Sequence, residues 1–328
     1  MAFNSADTAA FKNVWVFCEQ RQGVMMPTTF ELISEGRKLA NELGVELCGI
    51  LLGDNVDGIA AELGEYGADK VYVYNSPLLK DFTTDAYTKV IVEAVEEIKP
   101  EVLLFGASNI GRDLAPRCAA RLHTGLCADC THLDVDVANY IQFLRESSTL
   151  DVDSQKWDME DRNLKMTRPA FGGHLMATII CPRFRPCMAT VRPGVMKKNV
   201  FDQAKADACE IVKPSFQLSE SDLNTEVVEV VKAAKKLVDL IGADYICLWA
   251  AASARMSRAA SSWLRSWRTS WAASWAAPVP PSTPAGCLPT IRWARPARPC
   301  IRRCTSPWAS PAPSSTRPVC RTPSASSR

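Results

Sequence analysis

Short β-branched segments alternate with longer amphipathic segments over the first 122 residues. Val14–Cys18 is a continuous apolar run, typical of a strand that is buried on both faces. Similar runs predict strands at 45–52, 70–74 and 102–105, each separated from the next by a helical pattern. Because strands joined by helices of this length need right-handed crossovers, the pattern predicts a doubly wound, mostly parallel α/β sheet.

The helices of this region carry recognisable end signals. Thr28 and Glu31 form a capping-box pattern at the first helix, and Gly44 supplies its C-terminal stop. A second helix is predicted to end at Gly67, a third to occupy 83–98, and a fourth to occupy 113–122. Each end signal agrees with the hydrophobic period beside it.

The chain is less regular after residue 122. Residues 123–165 are polar and predict an excursion from the sheet, 175–181 predict a strand, and the Pro- and Gly-punctuated segment 182–199 predicts a loop with short extended pieces. We therefore divide the chain into a first α/β domain, a polar linker, the start of a second α/β domain, and a tail; these cover 1–200, 201–224, 225–248 and 249–328. The second domain is predicted to begin with a strand at 226–231, a helix at 232–241 and a strand at 244–248.

Composition distinguishes the tail, 249–328, from the first 248 residues, which we call the body. Residues 249–328 contain 12 Arg, 12 Pro and 7 Trp, with no Lys, Asp or Glu. The preceding 248 residues carry 26 basic and 36 acidic side chains, so the net charge of +2 for the whole chain conceals a body of net charge −10. A basic tail of this kind is one interpretation, because disordered arginine-rich arms bind nucleic acid.

The body excludes several classes of protein. An acidic surface argues against binding the phosphate backbone of nucleic acid as a main task. No apolar run approaches the ~20 residues that span a bilayer, and the N-terminus shows no secretory signal. Nine irregularly spaced cysteines in the body are typical of reduced thiols, so we expect a cytoplasmic protein with no membrane contact.

Two motifs have competing interpretations. The turn G-A-S-N-I-G-R at 106–112, between a strand and a helix, could hold an anion on backbone N–H groups, or its glycines could serve the turn geometry alone. Cys127 and Cys130, with His123 and His132 nearby, resemble a metal site or a redox pair, but a second ligand pair at suitable spacing is missing. We therefore expect no metal and interpret the cysteines as buried or half-buried thiols.

Two arginines lie beside proline and glycine in rigid turns. Arg168 precedes P-A-F-G-G, which contains Gly172 and Gly173, and Arg192 precedes Pro193 and Gly194. Such turns can hold a planar guanidinium against a phosphate, a carboxylate or the edge of a flavin, or can be ordinary structured loops. The carboxylates Glu93, Glu96 and Glu97 predict a solvated helix face, and no nucleophile arrangement that would indicate a catalytic residue is present.

The segment R-P-A-F-G-G-H-L-M-A-T-I-I-C-P-R-F-R-P-C-M-A-T-V-R-P-G-V-M-K at 168–197 resembles the electron transfer flavoprotein α subunit. The resemblance extends to G-A-S-N-I-G-R-D-L-A-P-R-C-A-A-R-L at 106–122, T-G-L-C-A-D-C at 124–130 and E-L-I-S-E-G-R-K-L-A at 31–40, and covers about 13–248. It implies a first domain that docks on a β subunit and a second α/β domain that carries FAD. It also implies an electron carrier between acyl-CoA or other dehydrogenases and an acceptor, without turnover of a free substrate.

The resemblance ends where the cofactor would bind. The family continues with a Gly-Arg-Gly loop, a Gln-Thr motif and G-I-S-G-A-I-Q-H, and none of these occurs after Leu248. No FAD-binding residue can therefore be assigned in this chain. Arg168, Gly172, Gly173 and Arg192 are the candidates for the subunit interface or for the partner's flavin.

The tail is interpreted as a shifted reading frame. Ser-Trp pairs recur every four residues from 262–263 to 274–275, and regrouping their codons one base earlier turns Ser-Trp into Glu-Leu and produces an amphipathic helix. The same regrouping permits G-R-G at 249–256, and it yields G-Q-T-V and G-I-S-G-A-I-Q-H within 291–322. We therefore favour one lost or two gained nucleotides near codons 248–249 over a basic nucleic-acid-binding arm, and expect the tail to be disordered, without FAD.

Overall fold

The computed structural model describes residues 3–200, 208–225 and 227–230, together with the backbone of 246–247 and 274–275. The chain divides into two units, 1–237 and 238–328, and each is described by itself. Within the described residues, no helix is both long enough and apolar enough to cross a membrane.

The first unit contains twelve described strands and five described α-helices. The strands are β1 (Val14–Cys18), β2 (Gln20–Arg21), β3 (Val24–Met25), β4 (Leu47–Gly53), β5 (Lys70–Asn75), β6 (Val102–Gly106), β7 (Leu126–Cys130), β8 (His132–Asp134), β9 (Lys165–Ala170), β10 (Leu175–Ile179), β11 (Cys187–Val191) and β12 (Glu210–Val212). The helices are α1 (Pro27–Leu43), α2 (Asp57–Gly64), α3 (Thr84–Ile98), α4 (Asn109–Arg121) and α5 (Val137–Ser147).

Seven of these strands form one parallel sheet in the order β12-β5-β4-β1-β6-β11-β7. The order runs outward from β1 in both directions, so the sheet is doubly wound and all its carboxyl ends lie along one edge. A smaller antiparallel sheet has the order β10-β9-β8. The predicted α/β class with a mostly parallel sheet is confirmed.

Both faces of the main sheet are covered. Along β1, Val14, Val16 and Cys18 face the core cluster that also holds the apolar side of α1 and α2. Trp15 and Phe17 face the opposite cluster, which holds the apolar side of α3 and α4. Because β1, β4, β6 and β11 are buried on both faces, they consist of nearly continuous apolar runs rather than alternating ones.

Several local predictions match the structure closely. The strand at Val14–Cys18 has the predicted bounds. Gly44 ends α1 in the left-handed conformation with φ of 70°, as its C-terminal position predicted. Glu93, Glu96 and Glu97 are exposed on α3, which confirms the solvated helix face.

The predicted capping box at Thr28 is wrong. Helix α1 begins two residues earlier than predicted, at Pro27, and its N-cap residue Met26 provides no side-chain hydrogen bond. A proline fits this first position because its missing N–H would have no partner there. Glu31 instead accepts a hydrogen bond from the backbone N–H of Gly194 at 2.8 Å, so it secures the turn that follows β11.

Two segments after residue 122 each contain a strand of the main sheet that the sequence did not predict. The supposed excursion contains β7, which forms an edge of the main sheet, and the supposed loop at 182–199 contains β11, which lies between β6 and β7. Every residue of β11 is buried. Prolines at 186 and 193 flank this strand closely, which is why turn residues dominated the sequence pattern there.

The predicted linker also contributes to the first unit. Strand β12 extends the sheet beyond β5, and Phe216 packs on Tyr74 with ring centroids 5.3 Å apart. Lys89 on α3 donates a 2.8 Å hydrogen bond to Asp222, and Asn224 donates one of 3.0 Å to Asp85. Residues 208–225 therefore return across the first domain rather than leaving it.

In the second unit, the described backbone forms two short strands. β13 (Ile246–Cys247) pairs in parallel with β14 (Ser274–Trp275), and β13 falls within the strand predicted at 244–248. The described residues 227–230 are not in a strand, although one was predicted at 226–231. The predicted helix at 232–241 and the rest of the tail 249–328 lie outside the described residues.

Candidate functional site

Three arginines converge on one aspartate at the carboxyl edge of the main sheet. Asp129 lies in the edge strand β7, Arg192 follows β11 directly, and Arg112 lies in the first turn of α4. Arg168 belongs to β9 of the smaller sheet, and its positive charge also acts on Asp129. We call these four residues the arginine cluster. It forms here because the parallel strands β6, β11 and β7 all end at the same edge.

The carboxylate of Asp129 is held from several directions. Arg192 donates from Nε to Oδ1 at 3.1 Å and from Nη2 to Oδ2, which is a bidentate pair. Arg112 donates from Nη2 to Oδ1 at 3.2 Å, and its Nε donates to the carbonyl oxygen of Ala107 at 2.8 Å. The backbone N–H of Asp129 donates to Thr190 Oγ1 at 2.9 Å, which fixes a backbone with φ of 63°.

These contacts set the charge of the cluster. The hydrogen bond from Arg192 lowers the pKa of Asp129, and the charges of Arg192, Arg112 and Arg168 lower it further. The same contact raises the pKa of Arg192. One ionised carboxylate therefore faces three guanidinium groups, and the cluster carries a net positive charge suited to an anionic group.

Arg168 differs from the other two arginines. It is half-buried in β9, opposite Ala177 of β10. Among the side chains that the structure describes, its guanidinium makes no hydrogen bond or ion pair, whereas Arg112 and Arg192 both bind Asp129. Its donors are therefore available to a group outside the described chain.

The β9–β10 hairpin places apolar side chains in solvent near this cluster. Gly172 and Gly173 form its tip with φ of 69° and 91°, a left-handed conformation that side chains other than glycine rarely adopt. Phe171 is 81% exposed, Leu175 57% and Met176 51%. We call these three side chains the hairpin tip. A surface of this kind marks an interaction site more often than a solvated loop does.

The turn at 106–112 and the pair Cys127 and Cys130, which each had two interpretations, both have structural roles. Helix α4 begins inside the G-A-S-N-I-G-R turn, and Ser108 Oγ accepts the N–H of Gly111 at 3.1 Å, so this donor is already bound. A Cβ on Gly111 would lie 1.9 Å from the carbonyl oxygen of Gly106, so Gly111 permits close packing of α4 on β6, whereas a Cβ on Gly106 would lie 3.0 Å from Thr28 Cγ2 of α1.

Cys127 and Cys130 are 1% and 0% exposed. His132 is hydrogen-bonded to Asp134 at 2.5 Å and stacks on Phe143 rather than turning toward the cysteines. No group of three or more His, Cys, Asp or Glu side chains within the described ranges is arranged to hold a metal ion. The sequence prediction of buried thiols is confirmed.

Sequence reasoning identified Arg168 and Arg192 but missed Asp129, Arg112 and Thr190. The missed signal is a single aspartate within the otherwise apolar strand β7, which only the strand order places beside Arg192. Gly172 and Gly173 lie in the turn between β9 and β10, beyond the end of the strand that carries Arg168.

Replacing Asp129 is expected to destabilise the first domain. In Asp129→Asn, Arg192 and Arg112 lose the carboxylate that they bind, while asparagine can still adopt the positive φ, so we expect a loss of about 1–3 kcal/mol in the free energy of unfolding by urea. Asp153→Asn is the matched control, because its pair with Arg145 is exposed and is expected to contribute under about 1 kcal/mol. Equal stability of the two variants would contradict this role.

The pH dependence has a defined sign. Because the folded pKa of Asp129 is lowered, its contribution to stability is present above the unfolded value of about 3.9 and is lost as pH falls through the folded pKa. The stability difference between wild type and Asp129→Asn should therefore shrink on acidification.

Together, these observations describe a doubly wound α/β domain with a cationic sheet edge and an exposed apolar hairpin. A profile of the electron transfer flavoprotein domain matches residues 14–219. The chain belongs to the electron transfer flavoprotein family. The match confirms the family resemblance seen in the sequence. Proteins of this family carry electrons, and their subunits pair as heterodimers.

Three relatives illustrate the similarity. The chain is 66% identical over 246 residues to the "Acryloyl-CoA reductase electron transfer subunit beta" of Anaerotignum propionicum, a match covering 75% of this chain and 67% of the relative. It is 48% identical to "Protein FixB" of Clostridium saccharobutylicum (73% of this chain, 64% of the relative) and 45% identical to "Electron transfer flavoprotein subunit alpha" of Thermoanaerobacterium thermosaccharolyticum (72% and 64%). The match thus spans about two thirds of the length of these relatives.

Proposed function

We propose that this chain is an α-type electron transfer flavoprotein subunit that keeps its partner-docking domain and lacks its own FAD. The match of the electron transfer flavoprotein domain over residues 14–219 carries this proposal. The region from 14 to 219 holds the whole main sheet, the arginine cluster and the hairpin tip. We assign it to docking on the β subunit.

The hairpin tip and Arg168 are the proposed contacts with that subunit. Phe171, Leu175 and Met176 offer apolar surface that docking would remove from water. Gly172 and Gly173 allow the tip to turn tightly and to approach a partner closely. Arg168, with donors free in the described part of the chain, would bind an anionic group of the partner such as a phosphate, a carboxylate or the edge of its flavin.

Arg192 has a different role in this proposal. Its guanidinium is already bound to Asp129, so it would act mainly by fixing the charge and geometry of the cluster. The net positive charge would favour an anionic reduced flavin on the partner side. Chemistry in such a carrier belongs to flavin, and we assign no catalytic residue to this chain.

The residues present do not fit a second, FAD-binding domain. The family uses a Gly-Arg-Gly loop, a Gln-Thr pair, a serine and a histidine around FAD, and the sequence after Leu248 contains none of these motifs in the frame as translated. The 80 residues from 249 onward contain no His, Asn or Gln and one Gly. We therefore propose that FAD, which the intact family binds, is not bound by this chain as written.

The electron donors are proposed to be acyl-CoA or other dehydrogenases. The relative from Anaerotignum propionicum is named "Acryloyl-CoA reductase electron transfer subunit beta", and its 66% identity favours a partner that acts on a short acyl-CoA. The eight described cysteines are unpaired, which fits a reducing cytoplasm. We expect neither nucleic acid nor a membrane among its partners.

Co-purification tests this proposal against the nucleic-acid alternative. The chain as written, co-expressed with the β subunit, is expected to elute with it at one-to-one stoichiometry. Duplex DNA titrated at low and moderate salt is expected to bind equally weakly to the chain and to a version ending at residue 248. Tight, salt-sensitive binding that requires the tail, without β-subunit association, would favour the basic-arm alternative instead.

Resequencing the gene across codon 248 tests the frame itself. One missing or two extra nucleotides relative to a frame encoding Gly-Arg-Gly are expected. An open frame confirmed base by base, with no shifted family motif at the nucleotide level, would overturn the interpretation of the tail.

A further inference from the structure

Two cysteines outside the arginine cluster form a thiol pair at the start of β11. Cys187 is the first residue of that strand, and Cys181 lies two residues beyond the end of β10. Cys187 Sγ donates to the carbonyl oxygen of Cys181 at 3.6 Å, and Cys181 Sγ donates to the carbonyl oxygen of Phe184 at 3.7 Å. Cys187 is 1% exposed, whereas Cys181 is half-exposed. One sulfur can thus be reached from solvent, and the second is buried against the backbone of the first cysteine.

A buried arginine holds the chain segment between the two cysteines in place. Arg185 is 7% exposed, and its Nη1 donates to the carbonyl oxygens of Cys181 at 2.7 Å and Phe184 at 3.2 Å. Its Nη2 donates to Asn163 Oδ1 at 3.0 Å. On the other side, a Cβ added at Gly125 would lie 3.4 Å from Cys181 Sγ, so the glycine leaves the sulfur room.

The two thiols have opposite acidities in this setting. The neighbouring Cys187 thiol is the main cause that lowers the pKa of Cys181 to about 5, with further contributions from the backbone of Gly125 and the charge of Arg185. The same contact, together with burial, raises the pKa of Cys187. At neutral pH the exposed sulfur is a thiolate and the buried sulfur keeps its proton.

The geometry points to a peroxide-reactive disulfide site at Cys181 and Cys187. The Cys181 thiolate attacks one oxygen of a hydroperoxide, the O–O bond breaks, hydroxide or alkoxide leaves, and Cys181 becomes a sulfenic acid. The Cys187 sulfur then attacks Cys181 Sγ; the S–S bond forms, and the sulfenic hydroxyl leaves as water with the Cys187 proton. The two thiols supply the two electrons that reduce the peroxide.

Other cysteines of the first domain lack this combination. Cys127 and Cys130 are also neighbours, since Cys130 Sγ donates to the carbonyl oxygen of Cys127 at 3.6 Å, but both are buried from solvent. Cys209 is half-exposed like Cys181, but burial raises its pKa to about 11, so it stays a neutral thiol. These residues provide internal comparisons in one experiment.

Peptide mapping after peroxide treatment tests the proposal. The folded full-length chain, alone and with the β subunit, is treated with hydrogen peroxide, alkylated and digested with trypsin. We expect a disulfide joining the peptides 166–183 and 184–197, and its removal by dithiothreitol. The peptide that contains Cys127 and Cys130 should remain reduced in the same sample.

Two variants give matched controls. Cys187→Ala should remove the cross-link and leave Cys181 as sulfenic or sulfinic acid, whereas Cys209→Ala should form the cross-link as wild type does. In untreated wild type at pH 6, iodoacetamide should modify Cys181 at least ~10-fold faster than Cys209. The proposal is overturned if Cys181 is unmodified by peroxide in the folded chain, or if the cross-link forms only in urea.

Discussion

Restoring the reading frame after codon 248 is expected to add one FAD to each heterodimer. The chain as written should contribute none, because the Gly-Arg-Gly, Gln-Thr and G-I-S-G-A-I-Q-H motifs are absent from it. One inserted nucleotide near codons 248–249 should return all of these motifs together. The measurement is the visible flavin absorption of the purified complex divided by its protein concentration, for the original and the restored chain.

Stability gives a second readout of the same change. A ligand that binds only the folded state stabilises it by about 2.7 kcal/mol at a concentration 100-fold above its Kd. Added FAD should therefore raise the unfolding temperature of the frame-restored complex and leave that of the original complex unchanged. A gene recoded with synonymous codons in the original frame is the control. Equal flavin content in the two complexes would show that the tail is not the cause of the loss.

Placing negative charges on the hairpin tip is expected to weaken binding to the β subunit strongly. Phe171 and Met176 are 81% and 51% exposed, so Phe171→Glu with Met176→Glu should leave the isolated domain folded. In the complex, each carboxylate would have to be buried without a partner. We expect Kd to rise at least ~100-fold, which corresponds to about 2.7 kcal/mol, measured by titration calorimetry.

The matched control places a charge on the opposite edge of the sheet. Ile211 is 42% exposed in β12, which lies at the other end of the strand order from β7. Ile211→Glu is expected to bind the β subunit with unchanged affinity. If this variant loses binding while the double hairpin variant keeps it, docking uses the β12 edge and our assignment of the interface is wrong.

Local patterns in the sequence were sufficient to predict four strands of the main sheet, β1, β4, β5 and β6. β1 and β5 could be located because their apolar runs are bounded by polar residues, and Gly44 marked the end of α1 through its required backbone conformation. These features depend on neighbours in sequence. The doubly wound class followed from them without knowledge of the strand order.

The remaining strands of the main sheet depend on contacts with residues far away in the sequence. β11 is a buried five-residue strand, but Pro186 and Pro193 surround it and favour a loop interpretation. β12 has three residues and is held in place by its pairing with β5. No local pattern predicts such strands, because their burial comes from elements far away in sequence.

The arginine cluster illustrates the same limit. Arg168 and Arg192 could be selected because each lies beside proline and glycine in a rigid turn. Asp129 could not, because its partner arginines come from α4, β9 and the end of β11. The sequence therefore predicted Arg168 and Arg192 as candidates, whereas the structure adds the Asp129 carboxylate that binds Arg192 and Arg112.

Native mass spectrometry of this chain co-expressed with the β subunit tests the central claim most directly, since one spectrum counts both subunits and flavin. We predict a one-to-one complex of this chain and the β subunit, lighter by the mass of one FAD than the frame-restored complex after the difference in chain mass is subtracted. A complex that carries the same number of FAD molecules in both cases, or the absence of any complex, would contradict the account.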